Sequence, residues 1–162
     1  MRRIRICLGL FIAGLVLSGV TAFPLETELG IVQRTLAGLH VPPESALFAW
    51  LDRVHQALIT TNRVYPFLAY GTDWLAFAHL IIAVGFLGPW IDPVRNKWVL
   101  TWGLIACVGV MPLAFIAGGI RGIPLYWRFL DCSFGVIGAV PLALCRYYVA
   151  QLEYKGAWDN RV

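Results

Sequence analysis

Two apolar runs near the C-terminus, residues 98–119 and 129–150, each extend for about 22 residues, and a hydrocarbon core about 30 Å thick needs only about 20 residues of helix. No other feature limits the fold so strongly. Hydrocarbon offers no partner for a backbone N–H or C=O, so a run of this length satisfies itself as a helix. Runs 4–23 and 68–91 have the same character. The four together predict an all-α polytopic membrane protein: a four-helix transmembrane bundle forming one membrane domain over 1–162, with a short amphipathic helical segment (25–65) on its outer face. Composition agrees, with 59% hydrophobic and 14% charged residues and a mean hydropathy of +0.72. A soluble fold of this size leaves too much surface to hide that apolar content.

The first run follows Met1-Arg2-Arg3-Ile4-Arg5, a basic start that also suits a signal peptide. Ala22 is followed by Phe23 and Pro24, a poor cleavage site, so an uncleaved first span is expected. Gly14, Ser18 and Ala22 form a small-residue stripe open to close helix approach. In 25–65, Leu25, Leu29, Val32, Leu36 and Leu39 recur with helical spacing, and so do Leu47, Leu51, Val54 and Leu58. His40-Val41-Pro42-Pro43 separates the two patterns, because neither proline can donate to a helix. Pro66 is placed to open the second span. Asp92-Pro93-Val94-Arg95-Asn96-Lys97 reads as a tight turn, and Pro112 and Pro141 are expected to bend the third and fourth helices. Ala114 with Gly118, and Gly135 with Ala139 and Ala143, are further small-residue stripes.

Charge placement orients the chain. With the N-terminus in the cytoplasm, the short loops and tails on that side hold Arg2, Arg3, Arg5, Arg95, Lys97, Arg146, Lys155 and Arg161. Both termini are then cytoplasmic. The net charge of +4 is spread singly and at helix ends, a pattern of membrane orientation and not of nucleic-acid binding. Cys7, Cys107, Cys132 and Cys145 fall in or beside predicted spans without metal or haem-attachment spacing, so they read as small apolar packing residues.

The candidate site residues are ionisable groups at or within the outer membrane boundary: Asp73, His79, Arg121, Arg128 and Asp131. Arg128 and Asp131, three apart, are expected to pair on one helix face. Asp73 is expected at a similar level, within reach of Arg121 on the hairpin. Two readings stay open for this polar cluster: ion pairs that lock helix ends among interfacial aromatics, or an outward-facing pocket for an anionic or polar ligand. His79 lies six residues beyond Asp73 in an apolar run. It is either a hydrogen-bonded structural histidine or a group that ligates haem, meets a quinone or relays protons. The hairpin Gly118-Gly119-Ile120-Arg121-Gly122 is not a nucleotide-binding loop, and no catalytic triad, HExxH or carboxylate pair is present.

The runs Tyr70-Gly71-Thr72-Asp73-Trp74, Asp92-Pro93-Val94-Arg95-Asn96 and Arg121-Gly122-Ile123-Pro124, with Asp131-Cys132-Ser133-Phe134-Gly135, resemble small four-span inner-membrane proteins of bacteria. The resemblance implies a bacterial cytoplasmic membrane and a four-span layout. It brings no activity, cofactor or partner. The expected function is non-enzymatic: a complex subunit, an assembly factor or a small ligand-binding module. Its partners are the bilayer and other membrane subunits or a second copy, with no cofactor and no nucleic acid. The alternatives are a membrane redox protein holding haem or quinone near His79, and a proton or ion conduit through Asp73, His79 and Asp131.

Overall fold

The computed structural model describes residues 1–159, and within them every regular element is helical: α1 (Arg2–Ala22), α2 (Leu25–Gly38), α3 (Ala46–Val64), a 3₁₀ turn (Pro66–Leu68), α4 (Ala69–Gly85), α5 (Leu87–Ile91), α6 (Lys97–Ile120) and α7 (Leu125–Asp159). Arg161, one of the charges that orient the chain, lies outside the described residues. Four segments are long and apolar enough to cross a membrane: Arg2–Ala22, Pro66–Ile91, Lys97–Ile120 and Leu125–Tyr154. The all-α, four-span fold class is thereby established. The fourth span starts earlier than its apolar run, because Pro124 accepts hydrogen bonds from the N–H groups of Trp127 and Arg128 and so begins the helix. Arg128 therefore stands within the helix and not before it.

The second span is interrupted, and the cause is local. Pro89 has no N–H for the carbonyl of Gly85 four residues back, and its ring crowds that carbonyl. The helix breaks between Gly85 and Leu87, and the Phe86 N–H divides its bond between the carbonyls of Ile82 (3.3 Å) and Ala83 (3.2 Å). Pro66 opens this span as its 3₁₀ first turn. Pro112 and Pro141 lie inside α6 and α7, neither of which is interrupted.

The chain forms two compact units, one from residues 1–15 and 82–162 and the other from 16–81. In the first, Ile4 and Leu8 are buried with Phe86, Leu100, Leu142, Cys145 and Val149. The N-terminal half of α1 is thus core material. Cys145 donates from Sγ to the Ile4 carbonyl (3.5 Å), and all four cysteines are free thiols. Helices α6 and α7 approach so closely that a Cβ on Gly135 would lie 2.5 Å from the Cys107 carbonyl oxygen. Gly103 likewise leaves room for Phe86 and Leu142. The turn between α5 and α6 is held by Asn96, whose side-chain amide donates to the carbonyls of Gly88 (3.2 Å) and Asp92 (2.9 Å).

The second unit holds the α2–α3 hairpin. At the end of α2 the Val41 N–H bonds the Leu36 carbonyl and the His40 N–H bonds the Ala37 carbonyl. This is a Schellman closure with His40, at φ 59°, in the left-handed position usually taken by glycine. The Pro42-Pro43 pair then keeps the chain from resuming a helix until Ser45, whose Oγ accepts the Phe48 N–H at the start of α3. In the same unit, a Cβ on Gly19 would stand 2.9 Å from the Ala76 carbonyl oxygen and 3.1 Å from the His79 Cβ. Close approach of α1 and α4 therefore rests on Gly19. The expected stripe does not provide it, since nothing lies within 4 Å of where a Cβ on Gly14 would stand and Ser18 is exposed.

Candidate functional site

Polar residues bind α2 to α3. The Asn62 amide donates to Glu26 Oε2 (2.7 Å), and His55 Nδ1–H donates to Gln33 Oε1 (2.6 Å). Gln33 in turn donates from Nε2 to Asp52 Oδ1 (3.2 Å). The two cross-helix pairs are separated by seven residues on each helix, the spacing that returns a side chain to the same helix face. Gly30 lies beside the His55 ring, where a Cβ would sit 3.4 Å from Cε1.

At the Glu26–Asn62 end of this hairpin a cavity of 390 Å³ opens between the end of α1, the start of α2, the last turns of α3 and the beginning of α4. Its polar lining is Glu26, Thr27, Thr61, Asn62, Thr72 and Asp73, and its apolar lining includes Phe23, Leu25, Leu58 and Leu68. This volume lies in the range of small-molecule sites, about 300 to 1,000 Å³, and a mostly apolar wall with a few converging polar groups is their usual composition. All of these residues belong to the 16–81 unit. No lysine, arginine or histidine lines the cavity. Its charged groups are carboxylates, and one N–H of the Asn62 amide is committed to Glu26. The lining therefore presents mainly acceptors and hydroxyls to whatever enters.

The five expected site residues divide between the two units. Asp73 lies half-buried in the cavity wall. His79, on the same helix, is also half-buried and donates from Nδ1 to the Leu75 carbonyl (2.8 Å). It does not line the cavity; its Cβ faces Gly19. Among the described residues no three His, Cys, Asp or Glu side chains group to hold a metal ion.

Arg121, Arg128 and Asp131 belong to the other unit, around the α6–α7 hairpin. Here α6 ends in a second Schellman closure: the Ile123 N–H bonds the Gly118 carbonyl, the Gly122 N–H bonds the Gly119 carbonyl, and Gly122 has φ 69°. Arg121 is the exposed C-cap residue. Arg128 donates from Nε to the Ile123 carbonyl (2.7 Å), and its stem lies where a Cβ on Gly118 would be only 3.2 Å away. The expected Arg128–Asp131 ion pair is not formed. Among the described residues the salt bridge present is Lys97–Glu153 at 2.6 Å. The reason is geometric: the guanidinium is turned back over the glycines to a carbonyl of the turn, away from the carboxylate one turn ahead. Arg128 is a staple across the hairpin.

Comparison with known protein families, with curated protein sequences and with solved structures finds no match for this chain. The cavity residues Glu26, Asn62, Thr61 and Thr72 are not among the sequence candidates: the first three sit in ordinary polar positions of amphipathic helices, and Thr72 is an uncharged residue at the start of an apolar span. A signal is nevertheless present, since Glu26 and Gln33 on one helix, and His55 and Asn62 on the next, repeat at the same interval of seven.

Proposed function

We propose that this chain is a non-enzymatic, multi-pass protein of the bacterial cytoplasmic membrane that binds a small polar ligand in the cavity walled by Glu26, Asn62, Thr72 and Asp73. The observation that carries the reading is the cavity itself, with its acceptor-rich lining between apolar walls. A ligand that complements it brings hydrogen-bond donors, because the lining supplies two carboxylates and no cation. Four crossings would return the chain to its starting side, and the arginines of the N-terminus and the α5–α6 turn support a cytoplasmic placement of that side. The cavity, at the far end of α1 and the beginning of the second span, then faces outward.

The binding reading is tested by releasing the protein from its own membrane in mild detergent and weighing it intact with whatever it retains. Wild type should carry a small molecule that Thr72→Trp, which fills the cavity, does not. Identical spectra, or an empty wild type, overturn the reading. The orientation is tested by single cysteines in a cysteine-free background. An impermeant maleimide should label intact cells at position 44 and not at position 95; the reverse pattern sinks the assignment.

A further inference from the structure

A second surface, on the 1–15/82–162 unit, has a chemistry that the cavity does not share. Three contacts bring its elements to one end. Cys145 on α7 donates to the Ile4 carbonyl on α1, the Arg3 guanidinium lies 5.8 Å from the centre of the Tyr148 ring, and Lys97 at the start of α6 bridges Glu153 on α7. This end therefore collects Arg2, Arg3 and Arg5 from α1, Arg95 and Lys97 from the turn and start of α6, and Arg146 from α7. Among the described side chains, Asp92 and Glu153 stand against them. Glu153 is committed to Lys97, and Asp92 Oδ1 accepts the backbone N–H of Arg95 (3.0 Å). None of the five arginines has a carboxylate within 4.0 Å among the described residues.

From this arrangement we infer that the arginine-rich end formed by α1, the α5–α6 turn and α7 is a docking surface for the phosphate groups of anionic phospholipids. Charge complementarity selects the partner. Arg146 is half-buried without a salt bridge, at the boundary where α7 leaves its apolar stretch, and a guanidinium there needs an anion. Planar guanidinium groups match phosphate oxygens two at a time, and five of these six described cations are arginine. Tyr147 and Tyr148 stand at the same level, with Arg3 held over one of them, as aromatic residues do at the headgroup layer. A sulfate-like soluble anion would meet the same charges, but an end that closes three membrane-crossing helices has lipid headgroups as its neighbours in every leaflet.

The test compares phosphatidylglycerol with phosphatidylcholine of identical acyl chains, added to the purified full-length protein in neutral detergent and read by native mass spectrometry. Phosphatidylglycerol should be retained at least tenfold more strongly, the preference should shrink as salt rises, and the triple variant Arg3→Gln, Arg5→Gln, Arg146→Gln should lose it. Arg121→Gln, at the opposite end of α6, should keep it and serves as the matched loss of charge. Glycerophosphoglycerol without acyl chains should compete weakly. Equal retention of the two lipids, full retention by a helical triple variant, equal loss in Arg121→Gln, or full competition by the soluble headgroup each overturns the inference.

Discussion

Gly135 sits against the carbonyl of Cys107 with no space for a methyl group between them: a Cβ there would be 2.5 Å from the oxygen. The obstacle is helix backbone and cannot be relieved by a rotamer change. Gly135→Ala should therefore force α6 and α7 apart and destabilise the protein by about 1 to 3 kcal/mol, the usual cost of overpacking. Gly109, on the same α6, has open space around it. Gly109→Ala should be neutral or slightly stabilising, since alanine is the better helix former by up to about 1 kcal/mol. Thermal unfolding of both variants in one detergent checks the contrast, and equal losses would refute it.

Arg128 and Asp131 should behave as independent residues. Arg128→Ala removes the donor to the Ile123 carbonyl and should cost about 1 to 3 kcal/mol. Asp131→Ala removes no ion pair. In a double-mutant cycle the two effects should add to within about 0.5 kcal/mol. A larger coupling energy would mean that the two side chains do meet.

His40 occupies a backbone conformation that glycine adopts without steric cost. His40→Gly should stabilise the end of α2 by about 1 kcal/mol, the approximate penalty of a left-handed conformation for a residue with a Cβ. Hydrogen exchange at the Val41 and His40 amides, which close the turn, should slow. Faster exchange would show that the histidine side chain contributes more than its strain costs.

Leu8 is fully buried, packed in the core with Phe86 and Leu142. Leu8→Ala should lower stability by about 2 kcal/mol, near the low end for such truncations, because lipid is as apolar as the core and mainly the cavity term remains. Leu10, two residues on and 68% exposed, should tolerate the same change. Similar losses at both positions would argue against the packing of α1.

The spans are legible in the sequence because hydrocarbon thickness converts run length directly into helix, and because Pro66, Pro42-Pro43 and Gly122 act on their own backbone and need no distant partner. The interruption at Gly85 is equally local and follows from Pro89, although Pro112 and Pro141 stand nearer the middle of their spans and draw the eye first. What meets what is decided only in three dimensions. Gly19, and not the Gly14–Ser18–Ala22 stripe, receives α4, since a small-residue stripe states where helices can approach but not which face is turned inward. Arg128 stands three residues before a carboxylate and five after a turn carbonyl, and the fold of the hairpin selects the carbonyl. The cavity beside Asp73 is assembled from α1, α2, α3, the 3₁₀ turn and α4, so its walls exist only once those elements have packed.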